Sequence, residues 1–257
     1  MPPRPQLNRR ILTLEAAILL CAVLYYELGN FSFRADKAVA DANAIWLWNL
    51  EIDWGLFVEP HFQDFFEAHP FWMGLLVFFY VGPHFLLTLG FLAWAYWYRF
   101  QSYPEVRDSM LAFTFLSFGF QWFVPLSPPR FIPAAGLRDT LDQSLPINGN
   151  TPWIFQFTNP YAALPSVHFG WAFLVSLLAI RLTRSPWRLA WLAYPTAIAL
   201  SIMATGNHWI LDIVLSAAFI MGTEAALALR RRNFHPFSSA AKVAVPATPG
   251  VPLEAKQ

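Results

Sequence analysis

Apolar runs of membrane length recur along this chain, and they constrain its fold more than any other feature. They are Ile11–Tyr26, Phe71–Trp97, a stretch ending near Val124, Pro165–Arg181, Leu189–Thr205 and Trp209–Leu229. A hydrocarbon core about 30 Å thick takes roughly 20 apolar residues to cross as a helix. Backbone polar groups in lipid must pair within their own segment, which leaves helices for runs of this kind. Composition agrees: 56% of residues are hydrophobic and 13% charged, against about 25% charged in soluble domains. The expected fold is an all-α integral membrane protein, a six-transmembrane-helix bundle.

The pattern predicts a short N-terminus (1–10), one membrane domain (11–229) and a disordered tail (230–257) rich in Ala, Pro, Ser and Val. The first span, about Ile11 to Phe31, is followed by Glu27-Leu28-Gly29-Asn30, which lacks the small-residue pattern of a cleavage site. Between the first and second spans, apolar residues from Ala35 to Leu50 fall at helical spacing among Asp36, Lys37, Asp41 and Glu51. That amphipathic stretch reads as one or two interfacial helices with no part in chemistry. Pro83 is expected to kink the second span. Ser102-Tyr103-Pro104-Glu105 reads as a capping box opening the third.

A net charge of +1 and the lack of a basic stripe exclude a nucleic-acid partner. The single cysteine, Cys21, leaves no intrachain disulfide to form. With the N-terminus inside, the inner segments carry thirteen of the 17 Lys and Arg. The outer ones carry only Arg34, Lys37, Arg130 and Arg138. By the positive-inside rule both termini are cytoplasmic, and the plasma membrane is the expected location.

That topology gathers the chemistry-bearing residues at the outer face. Arg130 follows the third span, Pro165-Ser166-Val167-His168 opens the fourth and Asn207-His208 opens the sixth, with Asp212 four residues on. Were 208–212 helical, His208 and Asp212 would share a face. The carboxylate would then hold one ring nitrogen and leave the other to attack. Two helix N-termini and an arginine fork would make an anion site suited to phosphate, with Ser166 and Asn207 beside it. His168 is the candidate acid and base. His84, mid-span, is either a helix-packing hydrogen bond or a supporting group. No acidic cluster has metal-ligand spacing, so neither metal nor other cofactor is expected.

These residues resemble the type-2 phosphatidic acid phosphatase superfamily, whose motifs read K-x6-R-P, P-S-G-H and S-R-x5-H-x3-D. Here they appear as Pro128-Pro129-Arg130, Pro165-Ser166-Val167-His168 and Ser201 through His208 and Asp212. The resemblance implies a six-helix core, His208 as nucleophile, Asp212 as its orienter and His168 as acid and base. The family lysine falls on Phe123 and the third-motif arginine on Ile202. A phosphomonoester dianion wants those cations more than a diester monoanion does. The pattern is similar to the inositol phosphorylceramide synthase branch, as are Asn159-Pro160-Tyr161 and Gly136-x-x-Asp139-Thr140. Asp139 and Tyr161 are therefore further supporting candidates.

The resemblance implies a lipid phosphotransferase that passes a head group from a phospholipid donor to a hydroxyl lipid acceptor. A lipid phosphate phosphatase, hydrolysing phosphatidic acid or a polyprenyl phosphate, would use the same residues. A non-catalytic, lipid-binding member is the third alternative.

Overall fold

The computed structural model describes residues 36–140 and 159–234, with selected positions of a helix between 13 and 28. The N-terminus, the loop 141–158 and the tail from 235 lie outside the described residues, so the disorder expected of 230–257 falls on undescribed residues except at 230–234, which are helical. The described chain is all-α. Following that first helix, α1, come α2 (Lys37–Asp53), α3 (Glu59–Glu67), α4 (Pro70–Val81), α5 (Pro83–Tyr98) and α6 (Tyr103–Phe123). Short 3-10 turns at Pro129–Phe131 and Pro133–Ala135 lead on, and after the undescribed loop come α7 (Val167–Leu182), a 3-10 segment (Pro186–Leu192), α8 (Ala193–Ala204) and α9 (Ile210–Phe234).

One described helix segment, Ile210–Arg231 of α9, is long and apolar enough by itself to cross a membrane. A second such unit is α4 with α5, bent by 44°. The bend falls at Gly82-Pro83, where the expected kink lies: proline has no N–H to continue the ladder. α7 is apolar but shorter, with 16 residues. α6 opens on Glu105, Arg107 and Asp108. The outer surface is apolar: Phe71 and Phe123 are each 74% exposed and Leu86 71%. Side chains of this kind so uncovered suit a hydrocarbon solvent better than water.

The core lies where α6, α7, α8 and α9 meet, around Phe113, Leu174, Leu178, Ile198, Ile202 and Ile220. α7 and α9 start side by side, because Ser216 Oγ of α9 donates to the Ser166 carbonyl (3.0 Å). They also end together, where Arg181 pairs with Glu224 (3.2 Å), so they run parallel. That far end holds a charged network. Glu105 pairs with both Arg181 and Arg231, and Arg107 with Glu15.

Two local expectations change. Ser102 caps nothing with its side chain. Glu105, the other half of the expected capping box, is drawn to the two arginines instead. A full ion pair outbids a single backbone N–H. The sixth helix also continues to Phe234, past the expected end at Leu229. Arg231, assigned to the tail, is tied into the network by Glu105 at 2.7 Å.

α7 can approach α6 closely because position 170 is glycine. A Cβ there would lie 2.0 Å from Cζ of Phe113, a ring with no exposed surface. Gly170→Ala is expected to destabilise the protein by about 1–3 kcal/mol, the usual cost of overpacking. Gly222→Ala, where nothing lies within 4 Å, should melt at or slightly above the wild-type temperature. Thermal unfolding in detergent compares the two.

Candidate active site

The site begins with how α8 stops. Gly206 adopts φ +65°, left-handed backbone suited to glycine. Its N–H donates to Met203 O (3.0 Å) and that of Asn207 to Ile202 O (3.0 Å). This is the paired bonding of a Schellman end. The chain then restarts as a helix almost at once. Asp212, three residues after Trp209, reaches back and accepts the Trp209 N–H (3.0 Å), the backward half of a capping box. Only Asn207 and His208 stand between the two caps.

His208 therefore precedes α9 and does not share a helical face with Asp212, as its sequence spacing suggested. The carboxylate reaches it by folding back to cap the helix. His208 Nδ1 lies 2.8 Å from Ala163 O and 3.2 Å from Asp212 Oδ2. A carbonyl oxygen can only accept, so Nδ1 must carry the proton. Nε2 is left with a lone pair. Burial holds the imidazole pKa down to about 3, and the Arg130 charge acts in the same direction. The ring is thus neutral across the physiological range, as a nucleophile must be.

Ala163 is itself fixed from elsewhere. Leu126 N–H donates to Tyr161 O (2.8 Å) and Ala163 N–H to Leu126 O (3.3 Å). Gln121 Nε2 donates to Ala162 O (3.1 Å) and Pro165 O (2.9 Å). The next residue, Ser166, caps α7 by accepting the Phe169 N–H (3.3 Å). His168, in the first turn of α7, faces His208 with ring centroids 6.3 Å apart. Tyr80 lies against the other side of His168, at 4.6 Å.

Arg130 completes the group. Its N–H donates to Gly206 O (3.1 Å), its Nη1 to Asn207 Oδ1, and its Nε faces Asp139 Oδ2 (3.0 Å). Asn207 in turn donates to Thr205 Oγ1 (2.6 Å). Asn207 and Asp139 thus aim the guanidinium. His84 stands 5.3 Å behind His168, with Nδ1 against Tyr194 Oη (2.9 Å). Nothing among the described residues bonds its buried Nε2. Tyr161 is a structural neighbour, packed on Phe131 with centroids 6.2 Å apart. No contact among the described residues ties it to the histidines.

The sequence model of the PAP2 superfamily matches residues 45–226, more than half of the chain. The chain belongs to the PAP2 superfamily. PAP2 members are generally membrane-associated and typically metal-independent phosphatases or phosphotransferases acting on lipid phosphates. No curated protein and no solved structure matches the chain. Where other PAP2 sequences place two further cations, this one has Ile202, buried in the core, and Phe123, turned outward.

Three residues at this PAP2 site escaped the sequence reading because each comes from the segment taken as merely interfacial. Gln63 of α3 donates to Arg138 O (2.9 Å) and accepts the Arg138 N–H (2.8 Å), pinning the loop that carries Asp139. Glu59 Oε1 accepts the Ile210 N–H (2.7 Å) and Glu51 Oε1 the Leu211 N–H (2.8 Å). The first N–H groups of α9 are therefore spent on carboxyls, which corrects the expectation that two helix N-termini would both face a phosphate. Complete burial, rare for glutamates, is the signal, and it exists only in three dimensions.

Asp212→Asn keeps an oxygen for the Trp209 N–H and for His208 Nδ1, which both meet Oδ2, but removes the negative charge that would offset the positive charge the imidazole gains on attacking phosphorus. Turnover should fall by ~10²–10⁴ with the melting temperature little changed, the range for a disturbed acid–base partner. Steady-state rates and thermal unfolding on one preparation check both halves.

Proposed function

We propose that this protein is a membrane-embedded lipid phosphotransferase working through a phosphohistidine. The observation that carries the reading is the state of His208: neutral, proton on Nδ1, Nε2 free, with His168 and Arg130 at hand. His208 Nε2 attacks phosphorus and forms an N–P bond. The P–O bond to the lipid leaving group breaks, and His168, which takes up a proton as the anionic phosphate binds beside it, gives that oxygen its proton. The acceptor hydroxyl then returns a proton to His168 as its oxygen forms a new P–O bond and the N–P bond breaks. Asp212 orients His208. Arg130, aimed by Asn207 and Asp139, holds the phosphate oxygens together with the first N–H groups of α7. Ser166 caps that helix and keeps a hydroxyl proton to offer. His84 supports His168 from behind.

The donor class we favour is a phosphodiester lipid, by analogy with the inositolphosphotransferase branch, with a hydroxyl lipid as acceptor. Charge supports it. Arg130 is the one cation beside the histidines among the described residues, and Asp139 already offsets part of it. A monoanion suits such a cup better than a dianion. Hydrolysis of phosphatidic acid or a polyprenyl phosphate is the second reading, since water can intercept the same intermediate.

The proposed setting is a six-span bundle at the plasma membrane, with termini cytoplasmic and the site on the outer face. Charge placement supports it: Arg99, Arg107, Arg181 and Arg231 gather around the C-terminal ends of α7 and α9, whereas the histidines stand at their N-terminal ends.

The test uses purified protein in mixed micelles with inositol-labelled phosphatidylinositol and a pool of hydroxyl lipids, and in parallel labelled phosphatidic acid. Labelled new lipid is expected from wild type and none from His208→Ala. Free phosphate from phosphatidic acid without new lipid would make the protein a phosphatase. Asp139→Asn should shift preference toward the monoester, because it removes a negative charge beside Arg130. The ratio of the two activities reads this out.

A further inference from the structure

Glu51 and Glu59 have no exposed surface, although both belong to helices that otherwise read as interfacial. They arrive from α2 and α3 at consecutive N–H groups, those of Leu211 and Ile210. Two carboxyls on adjacent N–H groups of one helical turn sit side by side. No lysine or arginine pairs with either among the described residues, and the second oxygen of each is buried with no partner among them. Two full charges in that position would repel each other and lack compensation. One proton between the two unpartnered oxygens removes a charge and supplies the missing hydrogen bond.

We infer that Glu51 and Glu59, sharing one proton, clamp the first turn of α9 and thereby fix where His208 presents Nε2, which makes them positioning residues for phosphoryl transfer. This rests on the function proposed above.

The clamp acts on the turn that holds Asp212, whose carboxylate caps Trp209 and orients His208. Trp209 is fixed from the same side: it is fully buried, and its Nε1 donates to Ser127 O (3.0 Å). Occupying the α9 N-terminus also denies it to the substrate anion, which leaves the phosphate to Arg130 and α7. The titratable groups facing the pair are Asp212 from α9 and each glutamate from the other's helix. Burial and the charge of Glu59 push Glu51 up to about 9, and burial raises Glu59 as well. The pair therefore keeps its proton through neutral pH. It loses that proton as pH rises through about 9, when mutual repulsion drives α2 and α3 apart.

The experiment compares full-length wild type, Glu51→Gln, Glu59→Gln and the Glu51→Ala/Glu59→Ala double variant in mixed micelles. It measures hydrogen exchange over residues 207–214 and turnover of inositol-labelled phosphatidylinositol or labelled phosphatidic acid against pH. The amide oxygen of glutamine can still accept the backbone N–H. Each Gln variant should keep slow exchange and most of its rate. The Ala pair should exchange faster and lose about tenfold to a hundredfold in kcat with little change in KM, as a small misplacement of reacting groups does. Wild type should lose activity above about pH 9, and Glu51→Gln, which cannot ionise there, should not.

Wild-type exchange and kcat in the Ala pair would overturn the clamp. Gln variants as impaired as the Ala pair would overturn it too, and if the Ala pair does not fold, that comparison of Gln with wild type decides. An unchanged alkaline fall in Glu51→Gln would overturn the shared proton. If wild type turns over neither lipid, the proposed function fails, whereas the exchange data still decide the clamp.

Discussion

The proton on His208 Nδ1 is the constraint on which the rest of the site depends. Two acceptors, the Ala163 carbonyl and the Asp212 carboxylate, leave that nitrogen no other state. Once Nδ1 is a donor, Nε2 is a lone pair in a dry site, and the histidine has one direction in which it can react. Ala163 holds its place because Leu126 and Gln121 bind its loop. Asp212 holds its place because it caps its own helix. Both anchors of the imidazole are thus held through hydrogen bonds to backbone groups.

Helix ends supply most of those bonds. α8 ends on a left-handed glycine and α9 begins on a backward cap, so two residues are displayed between rigid rods. The usual reading of a helix N-terminus is an anion site. At α9 that vacancy is filled from within the chain by buried glutamates. At α7 the cap uses only the Ser166 side chain. The two N-termini therefore differ in what they can offer a phosphate, although both stand at the same face. Arg130 lies between them, tempered by Asp139, and sets the charge of the cup.

The all-α character was legible in the sequence, because apolar helical runs and their prolines announce themselves locally. The kink at Pro83, the two short helices after the first span and the starts of α6, α7 and α9 all fall within a few residues of expectation. His168, His208, Asp212 and Arg130 were legible as a group, and the structure brings them together. Less legible was the way they meet. A spacing of four suggested a shared helical face, and the chain instead places His208 outside the helix. Ser102 and Glu105 had the letters of a capping box, but the arginines that claim Glu105 lie 76 and 126 residues away.

The sequence by itself determined the described helices, their order and the candidate site residues, because hydrophobic runs, prolines and glycines act locally. Tertiary structure alone decided the proton on His208, the aim of Arg130 and the burial of Glu51 and Glu59. Those three depend on acceptors and donors brought in from distant segments: Ala163 for the imidazole, Asn207 and Asp139 for the guanidinium, Ile210 and Leu211 for the glutamates. A glutamate on an amphipathic helix reads as solvated until the packing shows which N–H group it meets.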